Sequence, residues 1–479
     1  MPLAGEHSIT RRELIRAAAT GMFSLALGGD IAGAQPPEKP PNIVFILADD
    51  LGYADVACYG RPDLSTPNID RIAQRGMRFL QAYANSAVCS ATRTALITGR
   101  YQYRLRLGLE EPLVGNANVG LPSEQPTLPS LLKKAGYSST LVGKWHLGVL
   151  PKFGPLKSGY DHFYGFRGGA VDYFSHASPE NKDKEDLWDD DASIHQVGYL
   201  TDLLGSRAVD VVNGYAKSGQ PFMVSLHFNA PHWPWEAPGD EAESERLRQS
   251  GGGSLFDFHG GSQKTYQKMI EGMDRQIGRV LQALDANGLT ENTIIIFSSD
   301  NGGERFADTW PFTGRKTELL EGGLRIPALI SWPARIPTGR TTEQVSISMD
   351  WMPTLLAAAG TKPDPSFPAD GMNLLPTLTQ NAAPVPRKLF WRYKSKQQQA
   401  ARDGDYKYLK ILDNTFLFNV VDDPLERANL KDRHADVYRQ IVAEWNEWNS
   451  SMLPEIKESF THGFDGEELA DHYGVKKQE

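Results

Sequence analysis

Apolar residues in this chain gather into short unbroken runs. Ile43-Val44-Phe45-Ile46-Leu47-Ala48 is six residues with no polar interruption, the pattern of a strand buried on both faces rather than one shared with water. Comparable runs lie at 138–143, 221–228 and 293–297, and helical segments at 127–135, 199–217 and 264–286 separate them. Thr66-Pro67-Asn68-Ile69-Asp70 opens a further helix, with proline in its first turn. Buried strands alternating with helices predict an α/β fold around a large, mostly parallel sheet. From about residue 385 the pattern shortens. Strands are expected at 388–393, 398–402, 406–411 and 416–420, with turns such as Asp403-Gly404 between them and a helix over about 432–448. That reads as a small antiparallel sheet with one helix.

Polar residues come directly after each buried run, and in a parallel sheet ligands bind beyond the carboxyl ends of the strands. The first run ends in Asp49-Asp50 and the second in Lys144-Trp145-His146. The third leads into Asn229-Ala230-Pro231-His232, and the fourth into Ser298-Ser299-Asp300-Asn301-Gly302-Gly303. Adjacent carboxylates behind a buried strand are costly unless something positive holds them. Asp49, Asp50, Asp300 and Asn301 are all oxygen donors, which suits a hard divalent ion, Ca²⁺ or Mg²⁺, over Zn²⁺. A further stretch, 85–100, carries Cys89 with Arg93 four positions on, one turn along a helix that Gly99 would stop. A cysteine at a helix N-terminus beside a cation is expected to have a lowered pKa. Taken alone, the pair more often marks an ordinary buried cysteine.

Composition narrows the partners. The chain has 479 residues, 40% hydrophobic and 23% charged, enough for one large core and a smaller subdomain. Its formal net charge of −9 leaves no basic excess to neutralise phosphates, which argues against nucleic acid. There are two cysteines, Cys58 and Cys89, so no intrachain disulfide forms if Cys89 is used in chemistry. At the N-terminus, Arg11-Arg12 precedes a mildly apolar Ala- and Gly-rich stretch and a small-x-small site at Ala32-Gly33-Ala34. This order predicts a twin-arginine signal peptide over 1–34 and export to the periplasm or beyond, with no stable membrane anchor. The expected organisation is therefore a signal at 1–34, a main α/β domain at 35–384 and a C-terminal subdomain at 385–479.

Cys89-Ser90-Ala91-Thr92-Arg93, with Thr98-Gly99-Arg100 further on, resembles the signature of the type I sulfatases. Ala91 stands where most members have proline. The likeness extends in order through Asp49-Asp50, Gly143-Lys144-Trp145-His146, Ala230-Pro231-His232, Ser299-Asp300-Asn301-Gly302-Gly303 and Lys316-x-x-x-x-Glu321-Gly322-Gly323-x-Arg325-x-Pro327. The resemblance implies an alkaline-phosphatase-like sandwich and hydrolysis of sulfate esters. It further implies that a maturation enzyme oxidises Cys89 to formylglycine (3-oxoalanine), whose hydrate is the nucleophile. In its terms Asp49, Asp50, Asp300, Asn301 and residue 89 hold Ca²⁺, and Asp300 accepts the nucleophile's proton. Arg93, Lys144 and His146 support the hydrate, Lys144 and Lys316 bind sulfate, and His232 protonates the leaving oxygen. A sulfated carbohydrate is the first-choice substrate, with aryl sulfates also cleaved. Residues 160–188, with His162, Tyr173 and His176, and 233–261, with Trp233 and Trp235, are candidate pocket walls. Two other classes remain open at this point: a phosphomonoesterase or phosphodiesterase on the same scaffold, if Cys89 stays a thiol, and a non-catalytic binder of sulfated glycans.

Overall fold

Ile43, Phe45 and Leu47 bury into one core and Val44, Ile46 and Ala48 into another, because successive side chains of a strand point to opposite faces. That is why the run is apolar throughout. The structure is a computed structural model that describes residues 39–115, 117–179, 181–249, 260–380 and 382–464. The signal segment 1–34 and Gly251-Gly252-Gly253 lie outside them.

In chain order the main elements begin with strand β1 (Asn42–Ala48), helix α1 (Pro67–Gln74), β2 (Met77–Phe79), α2 (Cys89–Thr98), α3 (Leu128–Lys134) and β3 (Ser138–Lys144). They continue with β4 (His162–Phe166), β5 (Trp188–Asp189), β6 (Ala192–Ser193), α4 (Leu200–Ser218), β7 (Phe222–His227), α5 (Gln263–Ala286) and β8 (Thr293–Ser299). After these come β9 (Ala328–Ser331), β10 (Arg340–Thr342) and α6 (Trp351–Ala358). The order across the large sheet is β10-β2-β9-β8-β1-β7-β3-β4-β5-β6. The five central strands β8, β1, β7, β3 and β4 run parallel, and β9 and β5 join at either side antiparallel. Helices α1, α4 and α5 cover one face through Ile69, Leu204 and Ile277. Helices α3 and α6 cover the other through Leu131 and Leu355. The result is the expected α/β sandwich.

The C-terminal sheet, β11 (Lys388–Tyr393), β12 (Gln398–Asp403), β13 (Tyr406–Ile411) and β14 (Asn414–Asn419), is antiparallel throughout. On one face it packs helix α7 (Ala435–Ser450) through Ile441 and Trp445. On the other, Leu389, Trp391 and Leu409 pack against Val88, which precedes the cysteine helix, and against Ala91 and Ala95 within it. Helix α2 is thus held between two sheets, and all ten of its residues are buried. Gly99 ends it at φ +65, where a Cβ would come within 2.8 Å of Met352 Sδ.

A buried charge network ties the small sheet to the large domain. Lys407 Nζ lies 3.0 Å from Glu321 Oε1 and 2.9 Å from Glu426 Oε1. Arg325 Nε and the Tyr83 hydroxyl donate to Glu321 Oε2 at 2.6 and 2.7 Å. Removing one partner leaves the others charged in a dry interior. Lys407→Ala is therefore expected to lower the unfolding free energy by roughly 3–5 kcal/mol in denaturant titration. Among the described residues, no helix is long and apolar enough to cross a membrane.

Candidate active site

The four polar strand ends meet at one edge of the large sheet. Asp49 N donates to Ala230 O (3.1 Å), Asp300 N to Ala48 O (3.2 Å) and Asp50 N to Asp300 Oδ1 (3.3 Å), so the chains leaving β1, β7 and β8 are bonded side by side. Strand β3 joins them through Gly143, at φ +113, where a Cβ would meet His227 O at 1.8 Å. Only glycine fits between these strands, and the fit delivers Lys144 and His146 to the same edge. Asp50 and His146 both have left-handed backbones, at φ 62 and 59. Such conformations persist where surrounding contacts over-determine them.

Cys89 begins helix α2 and points at His146, with Sγ 3.3 Å from Nδ1. His146 Nε2 lies 2.7 Å from Leu113 O. A carbonyl only accepts, so Nε2 carries the proton and Nδ1 is free to accept from the thiol. The thiol's pKa is raised, because burial outweighs Lys144 and Lys316. This corrects the expectation, drawn from the helix N-terminus and Arg93, of a lowered value. Arg93 is held by other partners. Its Nε and Nη2 each lie 2.9 Å from Asp300 Oδ2, and Nη1 donates to Lys144 O at 3.1 Å.

The remaining groups form opposed pairs. Lys144 Nζ lies 2.5 Å from Asp49 Oδ2 and Lys316 Nζ 2.6 Å from Asp50 Oδ2. Asn301 Nδ2 donates to Asp50 Oδ1 at 2.7 Å. His232 Nδ1 donates to Trp233 O at 2.6 Å, which leaves Nε2 unprotonated 3.5 Å from Asp50 Oδ2. Burial and Lys316 push the His232 pKa down to about 3. Burial also raises Asp300, with Asp49 adding to the effect, to about 7. Asp50 is held well below the carboxylate range: Lys316 and His232 outweigh its burial.

These residues fit a cation. Asp49 Oδ1 and Asn301 Oδ1 are buried acceptors with no hydrogen-bond partner, an arrangement costly enough to demand an explanation. Asp49, Asp50 and His232 bring one ligand atom each within 4.8 Å of one another, and so do Asp49, Cys89 and Asp300. With oxygen in the majority, the set suits Ca²⁺ or Mg²⁺.

All ten predicted residues converge here, and Cys89, His146, His232 and Lys316 line a cavity of about 640 Å³. Its walls take Trp188 and Trp233 from the two aromatic segments. Tyr173, His176 and Trp235 are instead buried in the fold, and the Tyr173 hydroxyl braces the His232 loop through Asn229 O and His232 O. His162 is exposed on β4, 3.5 Å from Asp190. Two neighbours were not anticipated. His227 Nδ1 lies 3.4 Å from Arg93 Nη1, and buried Glu304, with its pKa pushed up by burial to about 7, faces Lys316 and Asp50. His227 closes an apolar run just as Asp49-Asp50 does, so its polarity was the available signal.

The comparisons agree with this geometry. The family model described as "Sulfatase" matches residues 41–361, and "N-sulphoglucosamine sulphohydrolase, C-terminal" matches 314–450. The chain is 33% identical to N-acetylgalactosamine-6-sulfatase of Rattus norvegicus, over 80% of this chain and 73% of that protein. It is 33% identical to arylsulfatase A of Homo sapiens, over 80% and 76% respectively. The solved structure of Ps i-CgsB in complex with k-i-k-neocarrahexaose superposes with a TM-score of 0.78 at 31% identity, covering 89% of this chain and 95% of that one. This chain belongs to the sulfatase family and is a sulfuric ester hydrolase.

Proposed function

We propose that the protein is an exported, formylglycine-dependent sulfatase acting on a sulfated carbohydrate. The observation that carries the chemistry is the meeting of Cys89, three buried cations and two orphaned oxygen donors at one edge of the large sheet, where Cys89 and Lys316 open onto the cavity. Formylglycine at position 89, made by a maturation enzyme, would supply a hydrate that displaces the alcohol from sulfur and then collapses to the aldehyde as sulfate leaves. Ca²⁺ held by Asp49, Asp50, Asp300, Asn301 and residue 89 would polarise a sulfate oxygen.

The chain's own groups fit the rest of that reaction. Lys316 and Lys144, each paired with a carboxylate at the strand ends, would supply the positive charge that a sulfate monoanion needs. His146, with its Nδ1 lone pair turned to residue 89, can orient a hydroxyl there. Asp300, whose carboxylate lies within 4.8 Å of the residue 89 side chain, would take that hydroxyl's proton. Arg93 then balances the charge beside it.

His232 would protonate the leaving oxygen through Nε2. Because Nδ1–H is committed to Trp233 O, Nε2 donates only from an imidazolium, so the proton must be taken up along with the anionic substrate. A sugar alkoxide needs that proton in the transition state and a nitrophenolate leaves nearly unaided. General acids contribute roughly a hundredfold to ten-thousandfold. His232→Ala is expected to slow hydrolysis of a sugar sulfate far more than that of nitrophenyl sulfate, whereas His146→Ala lowers both alike. Equal losses for His232→Ala, with chemistry rate-limiting, would remove His232 as the acid.

Support for a carbohydrate comes from the relatives and the cavity. N-acetylgalactosamine-6-sulfatase is named for a sugar sulfate, and Ps i-CgsB holds a neocarrahexaose. The cavity is of ordinary ligand size, and Trp188 and Trp233 are among its lining residues, aromatic surface of the kind that suits a sugar. Export rests on Arg11-Arg12 and Ala32-Gly33-Ala34, and N-terminal sequencing of the periplasmic protein checks it. The direct test of the reaction is sulfate against phosphate release from matched esters: sulfate is expected to dominate, and preferential phosphate release would overturn the proposal.

A further inference from the structure

A fifth parallel strand ends at the same sheet edge as the four that carry the catalytic groups. Phe166, the last residue of β4, pairs with Lys144 of β3, and His146 N donates to Arg167 O at 3.3 Å. Arg167 thus follows the strand directly and is bonded through its backbone to the histidine that faces Cys89. Gly169 keeps this approach close, since a Cβ there would meet His146 Nε2 at 2.8 Å. Residues 167–170 line the cavity along with Cys89, His146 and Lys316.

The Arg167 side chain is buried and only partly satisfied. Nη2 donates to Asp190 O at 3.0 Å and to Asp191 Oδ1 at 2.7 Å. Nε and Nη1 are buried donors with no hydrogen-bond partner, which is costly unless something answers them. The guanidinium is held in place by Trp188, whose ring centroid is 4.1 Å from Arg167 Cζ and whose Nε1 donates to Asp186 Oδ1 at 2.6 Å. Among the described lining residues Asp186 is the one carboxylate. Its other oxygen accepts from Arg167 N at 3.1 Å and Gly168 N at 2.6 Å, so it is already committed. Exposed Lys184 adds another cation to the lining.

We propose that Arg167 is a specificity-determining residue, the anchor of a subsite for a second anionic group, sulfate or carboxylate, on the sugar substrate. The inference rests on the carbohydrate-sulfatase reading above. Arginine offers donors only and stays charged, so it selects acceptors and bonds most strongly to anions. Asp191 is half-exposed and takes a single nitrogen, which leaves the rest of the guanidinium for a ligand. The side-chain partners of Arg167 are Trp188, Asp190 and Asp191, none of them shared with Lys144 or Lys316. The anion it meets is therefore a different group from the sulfate that is cleaved.

The test measures how three sugars inhibit hydrolysis of 4-nitrophenyl sulfate: N-acetylgalactosamine 6-sulfate, its 4,6-disulfate, and the disaccharide joining glucuronate to N-acetylgalactosamine 6-sulfate. Wild type is expected to bind the disulfate, the glucuronate or both about tenfold more tightly than the monosulfate, and the tighter one identifies the anion. Arg167→Met, which keeps apolar packing against Trp188, is expected to lose that preference, and Arg167→Lys, which keeps the charge, to retain part of it. Should methionine destabilise the fold, lysine alone decides: a weakened preference supports the inference and an undiminished one overturns it. Equal inhibition by all three sugars in wild type, or a preference that survives in Arg167→Met, overturns the inference and leaves the sulfatase reading intact. No inhibition by any sugar overturns the inference together with the carbohydrate assignment. No hydrolysis of nitrophenyl sulfate overturns the sulfatase reading itself.

Discussion

Cys89→Ala is expected to reduce sulfate release by at least about four orders of magnitude, since removing a covalent nucleophile leaves only binding and charge stabilisation. The fold should survive. Cys89 is the first residue of helix α2, its sulfur makes one contact with His146 Nδ1, and alanine is the best helix former. The variant should melt close to wild type and still bind substrate through Lys144, Lys316 and the cavity walls. Cys89→Ser is informative for a different reason: an unmodified hydroxyl can attack sulfur but cannot collapse to an aldehyde, so a single slow turnover is its expected limit.

The second large effect concerns the metal. Asp50→Asn removes one of three buried carboxylates at the strand ends and the counter-charge of Lys316. Asparagine tolerates the left-handed backbone at that position, so the lesion is one of charge rather than of folding. Polarisation of the ester by a cation is worth several kcal/mol, and its loss should cost roughly a thousandfold or more in kcat/KM. Elemental analysis of wild type is expected to find one Ca²⁺ or Mg²⁺ per chain, and Asp50→Asn should retain little. Chelation and then added Ca²⁺ should restore wild type and not the variant. Stoichiometric zinc in active wild type would contradict the assignment.

The parallel sheet and its edge were legible because burial on both faces leaves strands with one composition. Carboxylates, lysine and histidines directly after such runs stand out against it. The edge antiparallel strands were less visible: β5 and β6 have two residues each, too few for a period. The aromatic segments misled for a related reason. Tyr173 and Trp235 look like sugar platforms in sequence, but both bury their rings in the core under the His232 loop, and only packing separates the two fates. The sign of the Cys89 shift was misjudged because a helix N-terminus and a nearby arginine argue for a thiolate in water. At this site Arg93 is spent on Asp300 and the sulfur is buried at the cavity wall. The cavity wall formed by Phe460, His462 and Phe464 was beyond reach, since nothing local ties residues 460–464 to Glu110 and Glu111 some 350 positions earlier.

The chemical state of residue 89 decides whether the protein works as a formylglycine enzyme. Cleavage after Arg78 and Arg93 releases residues 79–93 as one peptide containing it. Mass spectrometry of that peptide from active enzyme is expected to find the thiol replaced by an aldehyde that reacts with hydrazides. Recovery of the peptide solely with an intact, alkylatable thiol, from enzyme that turns over sulfate esters, would contradict the formylglycine mechanism.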